Sequence, residues 1–286
     1  MTHFVLLVAL FLGLAFLIEP PAAHAAESYD NCTGFITSIP ATITTQGTWC
    51  LKQDLATAIT SGVAITIATN NVTIDCNDFK LGGLAAGIAT GTYGIYSLNR
   101  SNATVRRCNV RGFYYGVLLQ GSGGGGHAVE DNRFDGNTFI GVNVDGDGSV
   151  IRRNRVFDTG GSTLQADAYG ISGYYTVDIV DNSVSGVAAR AGGNGSAVGI
   201  YTNSSVGGNV IGNRVRGLFK DGTNLAVGIA NVVDTRVEMR DNNIIGIGEI
   251  GLSCGNTNDT AKDNVINGFG VALISCSDVG GNAILP

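Results

Sequence analysis

The sequence predicts an all-β fold, a single-stranded parallel β-helix or solenoid of about eight or nine coils behind an N-terminal cap. Three observations predict it. Glycine is abundant, at 43 of 286 residues, while Pro (4) and charged residues (14%) are scarce; this mix is too apolar for disorder and too rich in glycine for a helical protein. A short motif returns down the chain at unequal intervals: apolar, two polar residues, Asn, any residue, apolar, any residue, Gly. A second marker, Gly followed by an apolar residue, alternates with the first, as expected if each copy is one turn of a stacked coil.

The chain opens on FVLLVALFLGLAFLI, a 15-residue apolar block at 4–18, followed by Pro20-Pro21 and Ala23-His24-Ala25. This is the pattern of a signal peptide, residues 1–25, cleaved before Ala26. The block is shorter than the roughly 20 residues a membrane span needs. Thr2 and His3 stand where a Lys or Arg is expected, so an uncleaved anchor is the alternative. No later segment is apolar enough to span a bilayer, and the expected location is secreted or periplasmic. Without Glu19 the 23 acids become 22 against 17 bases, a net charge of −5, which argues against a nucleic-acid surface.

Residues 26–60, with Cys32, Trp49 and Cys50, are expected to cap the open β-edge of the first coil. The β-helix then fills residues 61–286, with no evident cap after the last motif. Its motif reads VEDNRFDG (129–136), IRRNRVFD (151–158), IVDNSVSG (179–186), VIGNRVRG (210–217), MRDNNIIG (239–246) and AKDNVING (261–268). VRRCNVRG (105–112) carries Cys108 in the Asn slot, VGGNAILP (279–286) closes the series, and NNVTIDCNDFKLGG (70–83) is an irregular first member with Cys76 in the slot. Stacking predicts two inward rows, one from Val105 through Val129, Ile151, Ile179, Val210, Met239 and Ala261 to Val279, the other from Val110 to Ile284. Between them the Asn side chains would form a buried ladder, satisfying polar groups that are costly to leave unpaired. Asn is also expected to take the left-handed backbone of the corner.

The Gly markers stand at Gly94, Gly116, Gly141, Gly170, Gly199, Gly228, Gly251 and Gly270, each 12–16 residues before the next Asn slot. Length variation therefore falls on the arc from Asn slot to marker. It is 16, 17 and 15 residues at 154–170, 182–199 and 213–228, against 9 or fewer in the neighbouring complete coils. Three successive long arcs should stack into one raised wall.

These motifs resemble the right-handed parallel β-helix repeat proteins of the pectate-lyase-like superfamily, over roughly residues 45–286. The resemblance and the usual crossover chirality imply right-handed coiling. It also implies a scaffold shared by polysaccharide lyases, glycoside hydrolases and alginate epimerases, so the motif speaks for fold and says little of activity. On such coils Cys76 and Cys108, in the same slot of successive turns, lie within bridging reach. Cys254 and Cys276 make the same case on the last full coils, and Cys32 and Cys50 sit together near the N-terminus; six cysteines suit an oxidising compartment.

Candidate polysaccharide-binding residues lie on the long arcs and just beyond them: Asp158, Asp167, Tyr169, Tyr174, Tyr175, Arg190, Tyr201, Arg216, Lys220 and Asp221. Rings can stack on sugar faces, and charges can read carboxylates. No catalytic set is recognised: His127 in Gly126-His127 lacks the other hydrolase motifs, and its parity points it inward. The resemblance makes calcium the cofactor to consider, but Asp145 and Asp147 are too few to hold it and read as a turn. The expected function is polysaccharide binding by a secreted protein. The alternatives are a lyase or epimerase acting on uronate glycans, with Arg190, Arg216 or Lys220 as base and Asp158, Asp167 or Asp221 holding calcium, and a passive module of the cell envelope.

Overall fold

The computed structural model describes residues 29–121, 123–203, 207–233 and 236–286, so the expected signal peptide lies outside the described residues. All the strands belong to one unit, Asn31–Pro286. A coil consists of three short strands, and the coil around the first regular motif shows the plan. Ala128–Glu130 forms the first face, the chain turns at Asn132, Arg133–Asp135 forms the second, and Ile140–Asp145 forms the third. Every pairing joins equivalent strands of successive coils in parallel, as in Val129↔Ile151, Phe134↔Val156 and Val142↔Ile171. Among the described residues the first face has 11 strands, and the other two merge into one 18-stranded sheet, because Asn243–Ser253 and Val265–Ile274 run unbroken from one into the other. Helix among the described residues is limited to one 3-10 turn at Leu84–Ala86, and none there is long and apolar enough to cross a membrane.

The core is the stack of inward residues. Val105, Val129, Ile151, Ile179, Val210, Met239 and Ala261 are all buried and in register. The row ends differently from expectation: Ala261 pairs with Asp278, and Val279 is exposed. The second row runs in register from Val110 to Ile284, whose side chain is exposed at the end of the stack. Each fully buried aliphatic side chain contributes about 1.5–3 kcal/mol.

The Asn ladder forms as the motif predicts. Asn132 Oδ1 accepts from the Cys108 N–H; from Asn154 onward each Oδ1 accepts from the backbone and side-chain amides of the preceding Asn, and each Nδ2 donates to a carbonyl of the preceding coil. It runs unbroken from Asn132 to Asn282. The left-handed residue, however, is the one before the Asn: Arg107, Asp131, Arg153, Asp181, Gly212, Asp241, Asp263 and Gly281 have φ between 49° and 75°. In that geometry the Asn side chain turns inward while its predecessor points to solvent. The closing Gly of the motif has a conformational reason too, with φ of 61° at Gly136 and 71° at Gly186.

The irregular first motif has a longer corner. Ile74 pairs with Val105 and Leu81 with Val110, so seven residue steps do the work of five, with Asn77 and Asp78 both left-handed. The segment expected as a cap contributes strands of its own: Gly34–Ile36 pairs with Gly47–Leu51, and Ala41–Ile43 with Val63–Ile67. Three disulfides staple the coils: Cys32–Cys50, Cys76–Cys108 and Cys254–Cys276, with Cα separations of 5.8, 4.7 and 5.0 Å.

Candidate functional site

The Gly markers form a ladder on the third face. A Cβ on Gly94 would lie 2.4 Å from the Gly116 carbonyl oxygen, and the same contact repeats at 2.5–2.7 Å from Gly116, Gly141, Gly170 and Gly199. Backbones there are too close for any side chain. Next to Gly251 stands Ala272 rather than Gly270, because the last coils turn without a loop and carry a register shift between Ile245 and Gly248.

The residue before the marker, and those two and four after it, face outward. In register along the coils, the first outward row is Tyr93, Tyr115, Ile140, Tyr169 and Val198. The second is Tyr96, Leu118, Asn143, Ser172 and Tyr201, and Asp145, Tyr174 and Asn203 stand in the third. With Tyr114 and Phe139 from the preceding turn, eight rings form one unbroken series. Its contacts run from Tyr96–Tyr93 at 5.5 Å through Tyr93–Tyr115 at 5.3 Å, Tyr115–Phe139 at 5.4 Å, Phe139–Tyr169 at 5.7 Å and Tyr169–Tyr201 at 5.4 Å to Tyr201–Tyr174 at 6.0 Å. Tyr114 stacks on Phe139 at 5.0 Å. The series crosses five coils, a length of about 19 Å at the usual strand spacing. All eight rings are half-buried, fixed below and open above. Burial, with the neighbouring phenols of Tyr114, Tyr93, Tyr174 and Tyr169 adding to it, holds the Tyr115 phenol far above its ordinary value. Burial and the Asp167 charge push Tyr169 up to about 12. Both remain neutral hydrogen-bonding groups at any physiological pH.

The three long arcs flank this stripe and stack as expected. Arg190 N–H donates to the Ala166 carbonyl at 2.9 Å, and Asp221 N–H to that of Gly195 at 3.0 Å. Side chains tie the wall together: Asp167 accepts from Ser196 N–H, Asp221 from Asn194 N–H, and Arg190 donates to the Thr163 carbonyl. Where the wall stops, Phe219, Lys220, Ile247 and Glu249 line an open recess of about 500 Å³, with Lys220 and Glu249 paired across it.

The ten sequence candidates therefore fall in different places. Tyr169, Tyr174 and Tyr201 meet in the ring series. Asp167, Arg190, Lys220 and Asp221 belong to the wall or its end, held by the contacts above. Asp158 is left-handed and exposed within the strand Arg155–Gly160, Tyr175 is left-handed at the far end of the third-face strand, and Arg216 points outward from the second face, between Ser185 and Ile245. Tyr93, Tyr96, Tyr114, Tyr115 and Phe139 join the series without having been singled out. Their signal was present, since Tyr directly precedes the marker at Tyr93-Gly94, Tyr115-Gly116 and Tyr169-Gly170.

His127 is buried, and its Nδ1 accepts the Ala103 N–H at 3.2 Å. Asp147 accepts from the Thr176 hydroxyl at 2.8 Å, while burial raises the Asp145 carboxyl against the opposing Gly121 N–H. Among the described residues no three His, Cys, Asp or Glu side chains come together as metal ligands. The charged pairs before the Asn slot bond mainly across coils, Arg152 to Glu130 at 2.6 Å and Arg153 to Asp131 at 2.7 Å.

Three solved structures are similar to this chain in part. The A-module of the Azotobacter vinelandii mannuronan C-5 epimerase AlgE6 is 16% identical, with 84% of this chain and 81% of that one covered and a TM-score of 0.43. The AlgE4 A-module of the same organism is 13% identical, with coverages of 82% and 84% and a TM-score of 0.41. The Dettilon tailspike protein is 13% identical with a TM-score of 0.41; 88% of this chain is covered, but only 60% of the tailspike. Against the curated proteins the sequence finds no match. The family described as the right handed beta helix region matches residues 59–225, more than half of the 286, and the chain belongs to that family.

Proposed function

We propose that this is a secreted β-helix protein that binds polysaccharide along the outer surface of its third face, with the stack of long arcs as one bank of the groove. The observation that carries this reading is the unbroken series of eight half-buried rings from Tyr96 to Tyr174. Rings fixed from below present faces and edges at low entropic cost, which suits stacking on the apolar faces of sugars. A run of five coils offers contact to a chain of sugars rather than to one. Three disulfides support an oxidising location.

A glycan array with the whole protein tests the proposal. Binding to at least one polysaccharide is expected, weakened about ten-fold or more by Tyr115→Ala combined with Tyr169→Ala, the loss of two ring contacts. An array without any signal would replace this reading with a passive envelope module.

A further inference from the structure

Resting on that reading, we infer that the groove selects a neutral polysaccharide, and that Asn143, Ser172 and Asp145 form the polar floor that reads its hydroxyl groups. Two independent observations support this.

The first is charge. The six third-face strands that carry and flank the rings are Tyr93–Leu98, Tyr115–Gln120, Ile140–Asp145, Ala168–Tyr174, Ala197–Asn203 and Ala226–Asn231. They contain no Lys or Arg, and Asp145 is their sole charged residue. The bases on the adjoining wall are engaged elsewhere: Arg190 donates to the Thr163 carbonyl, and Lys220 pairs with Glu249. A polyuronate brings one carboxylate per sugar and needs fixed cations or metal to meet it. This face offers it only an acid.

The second is the set of unpaired polar atoms. Asn143 is 7% exposed and Ser172 1%, although both point out of the coil. Asn143 Oδ1, Ser172 Oγ and Asp145 Oδ1 are buried without a hydrogen-bond partner among the described residues. They are neighbours: Asn143 pairs in register with Ser172, and Asp145 with Tyr174. Along the axis this patch lies between Leu118 and Tyr201, and Tyr115 and Tyr169 stand in the row beside it. A buried polar atom without a partner costs free energy. Three such atoms side by side in the middle of an aromatic stripe suit a ligand with several hydroxyls above a stacked ring. A carbonyl, a hydroxyl and a carboxyl oxygen can all accept from sugar hydroxyls, and the Ser hydroxyl can donate in return.

The experiment is binding of the whole protein to neutral polymers (a glucan, a mannan, a galactan and a xylan) and acidic ones (polygalacturonate and alginate), at low and high salt. The expected result is retention by a neutral polymer, unchanged by salt that screens charges beyond about 10 Å, and weakened about ten-fold by Asn143→Ala or Ser172→Ala. Circular dichroism of each variant excludes misfolding, and Ser172→Ala, which removes one atom, is the milder of the two. Retention only by the acidic polymers, lost in salt, would overturn the inference and leave polysaccharide binding standing. Neutral binding untouched by both variants would overturn the role of the floor. Binding to none of the polymers would remove the reading on which the inference rests.

Discussion

Asn132 and Asn154, 22 residues apart in the chain, are joined by two hydrogen bonds onto one oxygen. The backbone N–H and the side-chain amide of Asn132 both donate to Asn154 Oδ1 at 3.0 Å, while Asn154 Nδ2 donates to the Val129 carbonyl at 2.8 Å. No other residue type supplies a two-fold acceptor and a two-fold donor at this size. Asn154→Ala strands two donors and a carbonyl in a buried corner, and an unfolding free energy lower by about 3 kcal/mol is expected from a denaturant titration. Asn154→Asp keeps the shape but puts acceptors against Val129 O and Asn182 Oδ1, so at neutral pH it should be at least as damaging as Ala.

Gly170 and Gly199 make the same point for the third face. A Cβ on Gly170 would stand 2.4 Å from Val184 Cγ1 and 2.6 Å from the Gly199 carbonyl oxygen. The backbone oxygen cannot move without disturbing the next coil, so Gly170→Ala should cost about 1–3 kcal/mol by overpacking. Gly123 has no heavy atom within 4 Å of its Cβ position, and Gly123→Ala should be neutral or stabilising by a few tenths, since it restricts the unfolded chain. Comparing the two thermal midpoints checks this.

The parts of the molecule that repeat once per coil were legible in the sequence, because stacking makes each such position answer to the one above it. The Asn ladder, the inward rows from Val105 and Val110 and the disulfide partners all follow from that rule. The left-handed residue before the Asn was hidden, since Arg107, Asp131 and Gly212 share a conformation but no chemistry. Only the first face of the last coil is displaced, with Asp278 in the place expected for Val279, because its corner takes one residue more, four steps from Asp278 to Asn282 against three from Ala261 to Asn264, while the second row keeps its register to Ile284. The ring series was legible only by following outward parity from the Gly marker. Attention to arc length led to the wall instead, and of the candidates named there only Tyr169, Tyr174 and Tyr201 meet ring to ring.

Cys76 and Cys108 cross-link adjacent coils over a separation of 32 residues. Closing a loop of that size removes freedom from the unfolded chain, worth about 3–4 kcal/mol on the chain-entropy account. The double variant Cys76→Ser/Cys108→Ser should unfold at a correspondingly lower temperature. Because both sulfurs are buried beside the first coils of the ladder, the loss should show as early exchange of the amides of Val72–Asp75 and Ala103–Arg106. Hydrogen exchange by mass spectrometry reads it directly.

Asp75 gives the fold a pH dependence whose sign can be worked out. Its carboxylate is 1% exposed and accepts from Arg106 Nε and Arg107 Nε at 2.9 Å and from the Asn77 N–H at 3.0 Å. Burial alone would raise the carboxyl, but the Arg107 hydrogen bond, the Asn77 N–H and the two guanidinium charges outweigh it, and the net result lies below the ordinary value of 3.8. A carboxyl depressed in the folded state contributes its stability in full above the unfolded value, and loses it as pH falls through the folded one. The contribution is therefore present at pH 7 and disappears in the window below 3.8. Asp75→Asn keeps the shape but gives up the charge, so it should cost about 2 kcal/mol at neutral pH and progressively less as the medium is acidified. Urea titrations of the two proteins at neutral pH and at pH about 2, at the lower edge of the carboxylate range, check this. A gap that stays constant down to the acid end would mean that the carboxylate is not the group holding this corner.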